Sequence, residues 1–313
     1  MFDLLLETAD EGHEVWRGPL APHALERLIA DTHLAGILVG ALPNDGAPVR
    51  LDELVLETSH TDPRLRVEVG AGAASFSKFF TPTRALHDDA EVVLTRLLAS
   101  QTVPAGTYRF RCTPATPPAA PAGGLRIAPL PRAIPPLPHR SLWACGIAAL
   151  PGCRHPTILL PRPLAAALVA QARAAADVEV GALLVVEPFI TTETPPSRLG
   201  LLVVEVVPLG HGTTGTETKL RVTPEALAAV AVDDSRGRCR ALAHSHPFGA
   251  KAEPHFLSTD DKSVATAFFW RPFSIQVVID PRFTAPEDAL AVFCWVEGAL
   301  VRVCLTLIDD TPN

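Results

Sequence analysis

Residues 239–261 read CRALAHSHPFGAKAEPHFLSTDD. An apolar strand ends in this stretch on His244 and His246, and side chains two apart on a strand leave the same face. Two imidazoles on one face can take two corners of a metal tetrahedron. A loop follows, and Leu257-Ser258-Thr259-Asp260-Asp261 then reads as a helix start. Ser258 and Thr259 are good N-caps, and Val264, Ala267 and Phe268 continue at helical spacing. Ser258 and Asp261 are three apart and share a face of the first turn, so Asp261 offers a third, hard ligand. Two His and one carboxylate, with the fourth position left to water, are the ligand set of a catalytic zinc site.

A zinc hydrolase also needs a group that takes the proton of the attacking water and delivers it to the leaving amine. Upstream, Asp177-Val178-Glu179-Val180-Gly181-Ala182-Leu183-Leu184 places Glu179 between an Ala-rich helix and a wholly apolar strand. A carboxylate at the lip of a buried strand is costly unless it has a partner or a role.

HSHP, then FLSTDD, then SIQVVIDP resembles the JAMM (JAB1/MPN/Mov34) metalloproteases, and Glu179-Val180-Gly181-Ala182-Leu183-Leu184 resembles that family's upstream glutamate motif. The likeness covers roughly residues 155–310. It implies one zinc per chain held by His244, His246 and Asp261. It further implies Glu179 as general acid/base and Ser258 as hydrogen-bond donor to the oxyanion. The chain departs from the family in one respect: eleven residues, PFGAKAEPHFL, separate His246 from Ser258 where the family has seven. FLSTDD keeps the Ser-x-x-Asp register; a one-residue slip would make Asp260 the ligand. His255, in the same loop, reads as solvated.

The resemblance implies an isopeptidase or peptidase cutting after the C-terminal glycine of a ubiquitin-like protein, in deconjugation or precursor processing. The substrate's extended tail would add as a strand to a sheet edge. Bacterial JAMM proteins resemble processing enzymes of sulfur-carrier pathways, or deconjugases of ubiquitin-like antiphage operons; the two-domain organisation fits the latter better. Activating or conjugating enzymes of such a pathway are the further expected partners. From a different class, a non-catalytic MPN scaffold that binds such a partner is the alternative.

Outward from the site, residues 141–313 run helix, three strands, helix, strand, polar loop, helix and three more strands. Hairpins mixed with helical crossovers point to an α/β fold of the MPN/JAMM type, a sandwich with a curved mixed sheet. Residues 113–140 hold nine of the 31 prolines, which exclude regular structure and make a linker. Residues 1–112 read as an α+β accessory domain: PHALERLIADT as a helix, LAGILVGAL as a buried strand, then strands, a helix and a closing strand. Their order matches the C-terminal part, as a degenerate MPN-like copy would. His60, Asp88 and Asp89 read as solvated surface.

Composition sets the outer limits. At 48% hydrophobic and 19% charged, 313 residues can fill real cores. A net charge of −7 without a basic block argues against nucleic acid. No apolar window is long enough for a membrane span, and the acidic start MFDLLLETADEGHE is no secretory signal, so a cytoplasmic protein is expected. The six cysteines form no CxxC pair and read as reduced, packed thiols. Cys145, Cys153 and His155 fit no common zinc spacing.

Overall fold

Gly181–Thr191 (GALLVVEPFIT) is buried along its whole length save half-buried Glu187. Only a strand covered on both faces tolerates such a run. In the computed structural model, which describes residues 2–57, 63–115, 134–143, 147, 156–175, 178–193, 197–209, 213–216, 219–222, 239–247 and 255–309, this is the central strand of a nine-stranded mixed sheet. Numbered along the chain, the strands of this sheet are β7 (His139–Arg140), β8 (Thr157–Pro161), β9 (Gly181–Thr191), β10 (Leu199–Pro208), β13 (Cys239–Ser245), β14 (Ile275–Ile279), β15 (Leu290–Val296), β16 (Ala299–Val303) and β17 (Leu305–Ile308). Their order is β16-β15-β14-β13-β9-β10-β8-β17, with β7 also on β9. β9 is antiparallel to β10 and β13, whereas β13/β14, β10/β8 and β17/β8 are parallel.

Helix α4 (Arg162–Ala175) buries Ala165, Leu168, Val169 and Ala172 and packs on β8, β10, β14 and β17. Arg162 ties it to Glu287 of the short helix α6 (Pro286–Ala289) and to Asp309, which is 3.0 Å away. A separate hairpin pairs β11 (Thr213–Thr216) with β12 (Lys219–Val222). The chain is thus a mixed α/β protein with a curled mixed sheet and smaller sheets. LVRVCLTLI forms two strands, β16 and β17, rather than one.

The chain divides into two compact units. The first comprises Met1–Ile134, Ser258–Trp270 and Glu297–Ala299, and the second comprises Pro135–Leu257, Arg271–Val296 and Leu300–Asn313. In the first unit β1 (Phe2–Thr8) lies between β2 (Glu14–Pro19) and β6 (Tyr108–Pro114). A second antiparallel sheet is formed by β3 (Arg50–Glu57), β4 (Arg64–Ala71) and β5 (Ala74–Phe80). Helix α1 (Pro22–Leu38) packs on β4 and β5. The short α2 (Pro82–Ala85) leads into α3 (His87–Ala99), and α5 (Thr259–Phe268) packs on α3.

Three expectations for the first unit are corrected. LAGIL continues α1 instead of opening a strand; no breaker follows PHALERLIADT, and an apolar run alone does not separate helix from strand. Asp88 and Asp89 are buried, at 3% and 4% exposure. Asp89 pairs with the fully buried Arg27 of α1, and Asp88 lies 3.4 Å from Lys262 of α5. Burial pushes the Asp89 carboxyl up, but the Arg27 charge and hydrogen bonds from Arg27 and His23 outweigh it and hold the group below the ordinary carboxylate range.

Of the cysteines, Cys112 and Cys294 are buried free thiols as expected, whereas Cys304 is in a disulfide. Spacing along a sequence does not reveal pairing between distant cysteines. Among the described residues no helix is long and apolar enough to cross a membrane.

Candidate metal centre

The last residues of β13 carry the His pair. His244 stands in register with Gly181 of β9 on one side and Val278 of β14 on the other, so it is clamped between two strands. His246 continues the line, its backbone N–H donating to Ile279 O at 2.9 Å. Just beyond Ile279, fully buried Asp280 is gripped by Arg282, which fixes the end of β14. Burial pushes the Asp280 carboxyl up; hydrogen bonds from the Arg282 side chain and backbone override this and hold it below the usual range.

Both imidazoles are buried, at 1% and 2% exposure, and their Nε2 atoms converge to 3.1 Å. The rings meet edge to face, and Phe256 lies against His246 with centroids 5.0 Å apart. Two imidazoles on one tetrahedral zinc, each about 2.05 Å from the ion, stand about 3.3 Å apart. The His pair therefore already has the spacing of two metal ligands.

Glu179 is placed by the residue between the histidines. Ser245 donates its N–H to Val180 O at 2.9 Å, and its Oγ accepts the Val180 N–H at 3.0 Å. Glu179 thus sits one residue from a backbone position locked to the centre of His-x-His, and it is 6% exposed. Gly181 eases the close packing here: a Cβ would stand 3.2 Å from Ala243 O and 2.6 Å from Leu220 Cδ2, so both neighbours would have to shift.

Ser258 and Asp261 form a capping box. Ser258 Oγ accepts the Asp261 N–H at 3.2 Å, and Asp261 Oδ2 accepts both the Ser258 N–H and the Ser258 hydroxyl at 2.7 Å. One ligand atom from each of His244, His246 and Asp261 lies within 4.8 Å of the others, so the three form a possible metal-binding triad. Two neutral nitrogens and one carboxylate oxygen are a donor set that suits zinc. Asp260 is exposed. His255 is corrected from solvated to buried: it donates from Nε2 to Ala289 O at 3.1 Å and stacks on Phe283.

Sequence reasoning passed over Lys262 and Glu91, and it read Thr259 only as a cap and Asp88 only as surface. Lys262 Nζ donates to Glu91 Oε2 at 2.7 Å, and Thr259 Oγ1 donates to Glu91 Oε1 at 3.1 Å. No local signal marks such a pairing, because the partners are 168 and 171 residues apart. His60, Cys145, Cys153, His155 and the helix read at PEALAAVA lie outside the described residues.

No protein-family model and no curated protein matches the chain. Among solved structures, it is similar to the solution structure of protein DSY2949 from Desulfitobacterium hafniense. That match has 22% identity and a TM-score of 0.34, and covers 49% of this chain and 94% of the other.

Proposed function

We propose that this protein is a zinc-dependent isopeptidase or peptidase of the JAMM type, acting after the C-terminus of a ubiquitin-like protein. The sheet would then be an MPN-type sheet. The observation that carries the reading is the His244–His246–Asp261 triad, with Glu179 tied to it through the Val180–Ser245 bonds. Zinc held by these three residues would supply a water acidified to a pKa of roughly 7 and a Lewis acid for the scissile carbonyl. His244 and His246 bring little reorganisation cost, since their backbones are already fixed by β9 and β14. Ser258 keeps the Asp261 carboxylate oriented through Oδ2, so the third ligand would be held in place as well. Glu179 takes the proton of the attacking water and returns it to the departing amine; its burial strengthens the electrostatics of that transfer. For Ser258 to donate to an oxyanion, its hydroxyl must turn away from Asp261.

The test is zinc per chain together with cleavage of a panel of ubiquitin-like fusions, for wild type and Glu179→Gln. One zinc in both proteins, with turnover lost only in the variant, is the expected result. Zinc without turnover on any fusion would favour a scaffold, and a folded chain that takes up no zinc would overturn the reading.

A further inference from the structure

The first turn of α5 is held by more than its own cap. Thr259 and Lys262 are three apart and share one side of the helix, and Glu91 of α3 takes both, one through each carboxylate oxygen. Asp88, 3% exposed, adds a second carboxylate 3.4 Å from Lys262 Nζ. Two carboxylates therefore face the Lys262 ammonium. Asp261 lies between the two gripped residues. Its bond pattern with Ser258 sets the side-chain rotamer, but it does not set the rotation of the turn about the helix axis.

We propose that Glu91, assisted by Asp88, is a positioning residue for the metal ligand Asp261, acting through Lys262 and Thr259. This rests on the metal-site reading above. The lever is large. A helical side-chain tip rides about 5–6 Å from the axis, so a rotation of about 20° carries it about 2 Å. Metal–ligand distances tolerate about 0.2 Å. A grip on Thr259 and Lys262 removes that rotation, because both contacts would have to break together. α3 contributes no ligand itself.

The experiment measures zinc affinity of the full chain by competition with a chromophoric chelator, beside the melting temperature of the metal-free protein. The variants are Glu91→Ala, Lys262→Met and Lys262→Arg, with His244→Ala as the control for the site. Glu91→Ala and Lys262→Met are expected to weaken zinc tenfold or more, and Lys262→Arg to stay within about threefold of wild type. A grip that served stability alone would lower the melting temperature and leave the affinity unchanged. Affinity of Glu91→Ala within twofold of wild type would overturn the proposal while the metal site stands. No zinc binding by wild type would overturn both. Should Glu91→Ala fail to fold, Thr259→Val removes one arm of the grip and is expected to weaken zinc at least threefold; an unchanged affinity there overturns the proposal equally.

Discussion

Replacing Ser258 separates two jobs that one hydroxyl performs. Ser258 caps α5, and it donates to Asp261 Oδ2 at 2.7 Å. Ser258→Ala removes both, while Ser258→Gly loses only a few tenths of a kcal/mol as a cap but still removes the donor. For Ala the cap costs about 1 kcal/mol, and a hydroxyl bond to a carboxylate about 1.5 kcal/mol or more, which sums to about 2.5 kcal/mol. A domain of this size then melts roughly 5–10 °C lower without metal. The Ser258 N–H still holds Oδ2, so one of the two bonds from Ser258 survives. Letting the carboxylate pivot about that single bond among about three orientations costs roughly RT ln 3, near 0.6 kcal/mol, so zinc should bind about threefold more weakly in both variants. Thermal melts of the metal-free proteins and chelator-competition titrations read the two quantities. Ser258→Gly with wild-type zinc affinity would refute the idea that the hydroxyl orients the ligand, and Ser258→Thr should restore both.

Other expectations concern the first unit. Burial lowers the His33 pKa to about 4, although nearby Asp45 pulls the other way, and the ring is 3% exposed. The unfolded chain therefore binds more protons below pH 6.5. About 3 kcal/mol of stability, complete above pH 6.5, should be lost as pH falls to about 4; urea unfolding across that range should show the slope, and His33→Leu should abolish it. Asp89→Asn strands the fully buried Arg27 and should cost about 3–5 kcal/mol, whereas Arg27→Met with Asp89→Leu should cost far less. A double-mutant cycle with additive losses would rule out that coupling. Gly298 has φ 84°, and a Cβ there would lie 2.9 Å from Ala85 O. Gly298→Ala should cost about 3 kcal/mol against about 1 kcal/mol for Gly72→Ala, whose φ of 61° faces open space; equal melting temperatures would contradict the packing argument.

The sequence was most readable where chemistry and period coincide. The α5 boundaries follow from Ser258 and from the spacing of Val264, Ala267 and Phe268, and β9 follows from a run too apolar to be half exposed. His244 and His246 needed only strand alternation to share a face. What escaped reading depends on partners far along the chain. Asp88 and Asp89 resemble any acidic helix start until Arg27 and Lys262 are brought against them. His255 looks like a loop residue until the Ala289 carbonyl is supplied by a segment 34 residues on. LAGIL has no period to distinguish helix from strand, and its fate was decided by continuity with the preceding turns.

The chain passes from one unit to the other at residues 134/135, 257/258, 270/271, 296/297 and 299/300. A cut in the proline-rich segment would therefore not release two self-sufficient halves. The downstream piece would carry α5 without α3, leaving Lys262 with neither Asp88 nor Glu91 to neutralise it, and the upstream piece would lack a helix it normally packs. Each unit is thus completed by stretches that lie far from the rest of it along the sequence.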